Sequence, residues 1–250
     1  MIRDTRPDLG SVLGVGSANT VFALDRAPEL VLRVRHTMDS MSLNLPDQEI
    51  ALWRSAAALN LAPKVIWAGQ NKDVVITQRL DFDNLDERAH SQLLRSIHDS
   101  GIAASPLSLE KTAHSYREVI DVKGLGHLAM GIAKPEVLND LRMLDSEPAC
   151  FCHNDLTPSN IGRLEKQHLA IDWEYASLGS RHFDIAVASQ NMDPASRDKF
   201  ARDTADRFFD PLRWRAAIRV ASLFNHLWGL AVLGKTGDRE DKRTVEKAWG

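Results

Sequence analysis

The sequence contains few cysteines, no surplus of positive charge and no long hydrophobic run. Cys150 and Cys152 are the only cysteines among the 250 residues, so a disulfide framework is excluded. Their two-residue spacing places both side chains on one face of a strand, and without other cysteine ligands we expect packed thiols rather than a redox pair or a metal site. The 31 basic residues do not outnumber the 34 acidic ones, so the charge balance gives no support for nucleic acid as a partner.

The absence of a long apolar segment argues against insertion into a membrane. The most apolar late segment, residues 223–233, is too short to span a bilayer and contains Asn225 and His226. Residues 1–7 lack the apolar centre of a signal peptide. We therefore expect a cytoplasmic protein with no membrane partner, while the oligomeric state stays open.

The pattern of apolar residues changes near residue 78. Before it, short apolar runs of alternating character are separated by turn-forming residues, which predicts antiparallel strands and one helix. The predicted strands cover residues 11–15, 20–24, 30–34, 64–68 and 73–78, and the helix covers 47–59. After it, helical periodicity dominates. The predicted helices cover residues 85–100, 115–122, 134–144, 183–190, 194–209 and 212–233, with short strands at 149–152, 161–164 and 168–171.

These two patterns predict an α+β fold with two lobes. A small antiparallel sheet lobe is expected over residues 1–78, and a larger helical lobe over residues 79–250. The junction at residues 77–81 is short, so we expect a cleft between the lobes. Clefts of this kind are preferred ligand sites.

The strongest indication of chemistry lies in residues 153–160, His-Asn-Asp-Leu-Thr-Pro-Ser-Asn. A second carboxylate, Asp172, follows Asn160 by twelve residues at the end of a predicted hairpin. Phosphoryl transfer requires a carboxylate at the attacking hydroxyl and oxygen ligands that hold magnesium on the phosphates. A short hairpin brings its two ends side by side, so Asn160 and Asp172 can share a metal ion while Asp155 serves at the hydroxyl. A polar turn alone would not require the second carboxylate.

Three motifs together resemble one enzyme superfamily. His-x-Asp-x-x-x-x-Asn matches the kinase catalytic loop in spacing, with Asp172 in the place of the Asp of the Asp-Phe-Gly signature. With Ile-Asp-Trp-Glu-Tyr-Ala at 171–176 and Phe-Asp-Ile-Ala at 183–186, the chain resembles the aminoglycoside phosphotransferase and choline kinase superfamily, especially its thiamine kinases and choline/ethanolamine kinases. The resemblance implies a two-lobed protein kinase-like fold in which residues 1–78 bind the nucleotide. It also implies ATP and Mg²⁺ as cofactors and a small-molecule alcohol as acceptor.

The resemblance assigns a role to each acidic or amide residue of the motifs. Asp155 is expected to be the catalytic base or the group that orients the hydroxyl. Asn160 and Asp172 are the expected magnesium ligands, and Glu174 is a further acidic group near the metal. Asp184 is expected to fix the catalytic loop by accepting hydrogen bonds from backbone N–H groups.

The turn between the first two strands contains Gly14 and Gly16, followed by Asn19. Glycine lets backbone N–H groups approach phosphate oxygens closely, so this turn is a candidate cover for the nucleotide phosphates. Asn19 replaces the third glycine of the protein kinase pattern, and an ordinary hairpin turn explains the local sequence equally well. The position at the head of the small lobe favours the phosphate-binding interpretation.

A basic strand, an acidic helix and the hinge supply the other expected nucleotide contacts. Arg33 stands where protein kinases carry a phosphate-pairing Lys, and an Arg at this position resembles choline kinase-like proteins. Arg35 shares the same strand face, so it is the alternative phosphate ligand. Glu49 either pairs with Arg33 or belongs to an acidic first turn that the helix dipole favours. Gln78, at the predicted hinge, is expected near the adenine.

The acceptor is expected to be a small cationic alcohol. No long activation segment separates Asp172 from residue 183, so a protein substrate is not expected. The carboxylates of the motifs suit thiamine, choline or ethanolamine. Aromatic side chains of the helical lobe could stack on a ring or surround a quaternary ammonium, or could belong to the core. They are Tyr175, Trp214, Trp228 and Trp249. Two alternatives stay open: an aminoglycoside or sugar kinase, and a nucleotide-binding pseudokinase that serves as an interaction module.

Overall fold

The computed structural model describes residues 8–16, 18–35, 43–83 and 85–232, so Trp249 lies outside the described residues. The described residues fall into two compact units. The first contains the described parts of Met1–Asp83 together with Gly162–Glu174. The second contains the described parts of Asn84–Ile161 and Tyr175–Thr236. The segment Gly162–Glu174 thus groups with the first unit, whereas the sequence pattern places it in the lobe 79–250.

An antiparallel sheet of five strands forms most of the first unit. The strands are β1 Leu9–Val15, β2 Asn19–Leu24, β3 Leu30–Arg35, β4 Val65–Ala68 and β5 Val74–Gln78, and helix α1 spans Pro46–Ala58. Their order in the sheet is β1-β2-β3-β5-β4. All five predicted strands and the helix are confirmed, with ends that differ from the prediction by one or two residues.

The rest of the chain is mostly helical. Its helices are α2 Glu87–His98, α3 Leu109–Val122, α4 Pro135–Asp145, α5 Arg181–Ala188, α6 Pro194–Ala205 and α7 Pro211–Val232. Strands β6 Cys150–Cys152 and β9 Ser177–Gly179 pair antiparallel, and β7 Ile161–Leu164 forms a two-stranded sheet with β8 Gln167–Ala170. Short 3-10 helices lie at Gly126–Ala133, Pro158–Asn160 and Asp206–Phe208. The predicted α+β class is confirmed. None of the described helices is both long enough and apolar enough to cross a membrane.

Strand β3 is buried on both faces because its two sets of side chains meet different partners. Leu32 and Val34 pack in an apolar cluster with side chains of β2 and β5. Arg33 and Arg35 are one residue out of phase, so they point to the opposite face and reach Glu49 of helix α1. The alternation of the strand thereby separates the apolar core from the charged groups of the candidate site.

The β7–β8 hairpin packs closely against the segment that follows β5. Asp81 and Arg163 exchange two backbone hydrogen bonds, with N···O distances of 2.9 and 2.7 Å. A Cβ added at Gly162 would lie only 2.6 Å from the Cβ of Leu80, so glycine alone permits this approach. These contacts explain why the hairpin belongs to the first unit.

Candidate active site

A buried ion-pair cluster in the first unit links strand β3 to helix α1. Arg33 Nη1 donates a hydrogen bond to Glu49 Oε1 at 2.6 Å, and Arg35 Nη2 contacts Glu49 Oε2. The side chain of Glu49 is fully buried, and the guanidinium of Arg33 lies 5.0 Å from the centre of the Trp53 ring. Glu49 therefore faces inward and pairs with Arg33, the first of its two predicted alternatives.

The two arginines keep Glu49 ionised despite its burial. Burial acts to raise the pKa of Glu49, but the charges and hydrogen bonds of Arg33 and Arg35 outweigh it and leave the pKa below its ordinary value. Two guanidinium groups share one carboxylate, so the cluster carries a net positive charge. The carboxylates of Asp172 and Glu174 also act on Arg33 and offset that charge.

Replacing Glu49 with Gln leaves two buried guanidinium groups without a carboxylate between them. Removing one member of a buried ion pair typically costs about 3–5 kcal/mol, and we expect a loss of this size in the free energy of unfolding. Urea denaturation at neutral pH measures it. Asp47→Asn is the matched control, because Asp47 lies in the same helix with an 81% exposed side chain and should change stability little. Equal stability of the two variants would contradict a stabilising role for the cluster.

Asp172 lies beside this cluster in the first unit. Its Oδ1 is 4.0 Å from Arg33 Nη1, and among the described residues it has no hydrogen-bond donor, although the atom is buried. Burial raises the pKa of Asp172, and the opposing charge of Arg33 does not fully offset that rise. The backbone φ of Asp172 is 69°, a left-handed conformation that Asp and Asn tolerate better than most residues. The side chain of Asp172 is 29% exposed, so a carboxylate with one buried oxygen that lacks a donor among the described residues is a candidate cation ligand.

Glu174 is buried two residues further along the chain. Its negative charge is one of those that raise the pKa of Arg33 against the effect of burial. The backbone oxygen of Glu174 accepts hydrogen bonds from the main chain and the side chain of Asn44. Glu174 is thus held in the same charged group as Arg33, while its role as a metal ligand stays a prediction.

The turn between β1 and β2 has the geometry of a hairpin with room around its glycines. Gly16 N donates to the backbone oxygen of Asn19 at 2.8 Å. A Cβ added at Gly14 would meet no atom within 4 Å, so packing within the first unit does not require glycine there. Asn19 pairs with Arg35 across the sheet, and its buried Oδ1 has no hydrogen-bond partner among the described residues. Asn19 is therefore a direct neighbour, across the sheet, of Arg35 in the buried ion-pair cluster.

Gln78 has a structural use that the sequence pattern did not indicate. Its Oε1 accepts a hydrogen bond from Lys64 N at 2.9 Å, and its own N donates to Lys64 O. These two bonds fix the chain at the entrance to β4. A contact of Gln78 with a nucleotide stays a prediction.

The loop that follows β6 in the second unit is fixed by Asp184 of helix α5. The carboxylate of Asp184 accepts hydrogen bonds from His153 N at 2.9 Å and from Asn154 N at 2.7 Å. Burial acts to raise the pKa of Asp184, but its hydrogen bonds with the His98 side chain and the His153 backbone outweigh burial and leave the pKa below the ordinary value. Asn154 adopts a φ of 62°, which its residue type tolerates. Asp184 thus holds the loop in the way the resemblance predicted.

Asp155 and Asn160 contact each other within this loop. Asn160 Nδ2 donates to both the backbone oxygen and the Oδ2 of Asp155, each at 2.8 Å. Thr157 N also donates to the backbone oxygen of Asp155, which closes a tight turn before the 3-10 helix Pro158–Asn160. The amide nitrogen of Asn160 is directed at Asp155, so its amide oxygen is the atom that can bind a cation.

Glu147 and His182 support this loop, although no sequence motif indicated them. Glu147 Oε2 accepts a hydrogen bond from Ser180 Oγ at 2.6 Å, and Glu147 Oε1 lies 2.7 Å from His182 Nδ1. Ser180 caps helix α5 by accepting a hydrogen bond from Phe183 N. The buried carboxylate therefore fixes the start of the helix that carries Asp184.

Glu147 gives the fold a defined dependence on pH. Burial acts to raise the pKa of Glu147, but His182 and Ser180 outweigh it and leave the pKa below 4.5, its ordinary value. A carboxylate with a depressed folded-state pKa adds stability that is present above the unfolded-state pKa and is lost as pH falls through the folded-state pKa. We expect Glu147→Gln to lower the free energy of unfolding at pH 7 by about 1–3 kcal/mol. The difference from the parent protein should shrink as the pH falls below about 4.5.

Urea denaturation across this pH range measures the effect. Glu118→Gln is the control, because Glu118 is an exposed glutamate on helix α3. A Glu147→Gln deficit that stays constant down to the most acidic pH would contradict an ionised Glu147 in the fold.

These elements define the class to which the protein belongs. The antiparallel sheet with its buried Arg33–Glu49 pair, and the loop with Asp155 and Asn160, are parts of the protein kinase-like fold. The chain belongs to the phosphotransferase enzyme family, APH, whose sequence profile matches residues 10–217.

Solved structures share this fold. The choline kinase LicA from Streptococcus pneumoniae matches with a TM-score of 0.69 over 97% of this chain and 91% of its own, at 15% sequence identity. The ADP-bound aminoglycoside phosphotransferase APH(2'')-Ib matches with a TM-score of 0.60 over 99% of this chain and 93% of its own, at 16% identity. At these identities the likeness establishes the fold.

A curated relative is similar over a shorter region. The LicA homolog of Mycoplasma capricolum is 26% identical over 117 residues, which are 45% of this chain and 47% of the relative. The chain therefore spans about half the length of this relative.

Proposed function

We propose that this chain is a kinase that uses Mg²⁺ and ATP to phosphorylate a hydroxyl of a small cationic molecule such as choline, ethanolamine or thiamine. Membership of the phosphotransferase family supports the reaction class. The fold it shares with a choline kinase and with an ADP-bound phosphotransferase supports an adenine nucleotide and an alcohol acceptor. The observation that carries the proposal is the hydrogen bond from Asn160 Nδ2 to the Asp155 carboxylate. It orients the proposed base and leaves the amide oxygen for a cation.

Asp155 would act on the acceptor rather than on the nucleotide. As the hydroxyl oxygen bonds to the γ-phosphorus, the bond from that phosphorus to the β–γ bridging oxygen would break to release ADP, and the hydroxyl proton would pass to the Asp155 carboxylate. The Asn160 hydrogen bond fixes which carboxylate oxygen is directed into the loop. Asp184 keeps the backbone before Asp155 in place, so the carboxylate needs little reorganisation to react.

Magnesium would be held by the amide oxygen of Asn160 and the carboxylate of Asp172, with Glu174 as a nearby acidic group. These are the hard oxygen ligands that magnesium prefers, and the buried Asp172 Oδ1 has no hydrogen-bond donor among the described residues. The connection of residues 160 and 172 through a two-strand hairpin supports a shared ion, since hairpin ends lie side by side. When bound, the ion would neutralise charge on the β- and γ-phosphates.

Arg33 is the proposed ligand of the nucleotide phosphates. Its Nη1 is bound to Glu49, but its buried Nε and Nη2 have no hydrogen-bond partner within the described part of the chain. Two adjacent guanidinium donors match phosphate oxygens bidentately. Arg33 rather than Arg35 lies next to Asp172, which favours it for this role. Gly14 and Gly16, which carry no side chains, would let the backbone of this turn lie close over the same phosphates.

Of the three aromatic candidates that the structure describes, Tyr175 and Trp228 suit an acceptor site better than Trp214. Trp214 is buried and its Nε1 donates to Asp198 Oδ1 at 2.7 Å, so it belongs to the core. Tyr175 and Trp228 are partly exposed within the second unit. Their ring faces are therefore the proposed contacts for a quaternary or primary ammonium group.

A panel of acceptors tests the proposal. The protein is assayed for ADP release with Mg-ATP and, in turn, choline, ethanolamine, thiamine, an aminoglycoside and a hexose. We expect release above the acceptor-free background with one of the three small cations and none when Mg²⁺ is chelated. If only the aminoglycoside or the hexose is phosphorylated, the proposed class of acceptor is contradicted, while the proposed kinase reaction is still supported. Magnesium-dependent ATP binding without ADP release from any acceptor would favour the pseudokinase alternative.

A further inference from the structure

A cluster of sulfur and nitrogen atoms in the second unit has no part in the proposed reaction. Among the described residues, ligand atoms of His98, Cys150 and Cys152 all lie within 4.8 Å of one another. Strand β6 places both thiols on one face, with their Sγ atoms 3.7 Å apart. His98 is the last residue of helix α2 and brings the third ligand atom.

The imidazole of His98 is oriented as metal-binding histidines are. The side chain is 3% exposed, and its Nε2 lies 3.0 Å from Asp184 Oδ2. A carboxylate at Nε2 keeps the ring proton there, so Nδ1 presents a lone pair. Nδ1 is buried and has no hydrogen-bond partner among the described residues, an unfavourable state that a bound cation would relieve.

We propose that His98 Nδ1, Cys150 Sγ and Cys152 Sγ bind a zinc ion. Two thiolates and one imidazole are ligands that zinc selects, usually in a tetrahedral arrangement. Two sulfurs that are each about 2.3 Å from a tetrahedral zinc lie about 3.8 Å apart, which fits the observed 3.7 Å. Cys150 is only partly buried, so a water molecule can reach the fourth position.

Zinc binding here exchanges protons and involves no oxidation or reduction. The metal would form bonds to both sulfurs and to Nδ1, and thiol protons would pass to solvent. The proton of the buried Cys152 would be lost on binding, together with the weak contacts of its sulfur to the backbone oxygens of Cys150 and Ser180.

A zinc site would differ from what the sequence leads us to expect, which is that Cys150 and Cys152 are packed thiols without a metal. A pair of cysteines without other cysteine ligands does not indicate metal in a sequence, and the third ligand comes from a helix that ends at residue 98. The site is formed within the second unit alone, so it does not depend on the proposed kinase activity. Through His98 it would share Asp184 with the loop that precedes Asp155.

Cobalt titration of the whole, reduced chain tests the site. The protein is stripped of metal with a chelator, and Co²⁺ is added as a spectroscopic probe. We expect one equivalent of Co²⁺ to produce a thiolate-to-cobalt charge-transfer band that added Zn²⁺ removes. Loss of a group that only supports a metal ligand costs about 10–100-fold in affinity, so Cys150→Ala, Cys152→Ala and His98→Gln should each cost at least about 100-fold.

His114→Gln is the matched control, because His114 is exposed on helix α3. Circular dichroism of each variant shows whether it is folded. If His98→Gln does not fold, the Cys150→Ala variant decides, since Cys150 is partly exposed at the start of a short strand. The absence of a charge-transfer band in the parent protein, or a band that survives in Cys150→Ala, would overturn the proposal. A folded His98→Gln with the affinity of the His114→Gln control would overturn the assignment of His98.

Discussion

Asp155→Ala is expected to lose about 10²–10⁴-fold in turnover while retaining its affinity for nucleotide. The proton of the attacking hydroxyl then has no carboxylate to receive it at this position of the loop. The proposed nucleotide ligands, Arg33 and the glycine turn, belong to the first unit and are not changed by the substitution. Steady-state ADP release, with the acceptor found in the panel, measures turnover. Calorimetric titration with Mg-ATP measures nucleotide affinity.

Two further variants separate the charge of Asp155 from its shape. Asp155→Asn keeps the size of the side chain and can still accept a hydrogen bond from Asn160, but it cannot take a proton. It should therefore lose nearly as much turnover as the alanine variant. Ser159→Ala is the control, because Ser159 is exposed on the same loop and its hydroxyl forms a local hydrogen bond with Thr157. Near-normal turnover of Asp155→Asn would remove proton transfer from the role of Asp155.

The loop at residues 153–160 and the hairpin that follows it are predictable from sequence because residue type and spacing alone specify them. Asn154 and Asp172 adopt φ values of 62° and 69°, and both are residue types that tolerate the left-handed region. The strands around Arg33 are equally predictable, since alternation of apolar and polar side chains depends on neighbouring residues only. For Glu49 the local patterns allow two alternatives, pairing with Arg33 or an acidic first turn, and only the folded structure distinguishes them.

The contacts that sequence patterns miss join residues far apart in the chain. Strand β9 is three residues long and is defined by its pairing with β6, so it shows no period of its own. Glu147 meets His182 at 35 residues' separation, and His98 meets Asp184 at 86. Helix α3 also begins earlier than predicted, at Leu109, because Ser108 caps it by accepting a hydrogen bond from Lys111 N.

The grouping of Gly162–Glu174 with the first unit also depends on contacts between residues that are far apart in the chain, which the sequence pattern does not show. In sequence this segment follows the loop at residues 153–160, and its apolar strands resemble those of the larger lobe. Its place depends on the paired backbones of Asp81 and Arg163 and on the close approach of Gly162 to Leu80. A single glycine in a strand indicates a close contact but does not say with which residue.

Asp172→Ala is expected to abolish magnesium-dependent binding of nucleotide. The variant removes the carboxylate whose buried oxygen is the proposed cation ligand, while the Arg33–Glu49 pair remains. Calorimetric titration with ATP, in the presence of Mg²⁺ and then of a chelator, measures the loss. Asp47→Asn is the control because it removes one negative charge from an exposed position of the same unit. Unchanged affinity of Asp172→Ala for Mg-ATP would count directly against the role of Asp172.

Stability distinguishes a functional Asp172 from a structural one. The buried Oδ1 of Asp172 has no hydrogen-bond donor among the described residues, and burial is the main cause of the raised pKa of this carboxyl group. A folded-state pKa above the unfolded-state value means that the ionised group opposes folding at neutral pH. Asp172→Asn should therefore keep or raise the free energy of unfolding, because asparagine removes the charge and still tolerates a φ of 69°. Alanine would add about 1–2 kcal/mol of left-handed strain, so the asparagine variant is the one to unfold in urea. A marked loss of stability in Asp172→Asn would identify Asp172 as part of the structural framework instead of a ligand for the cation.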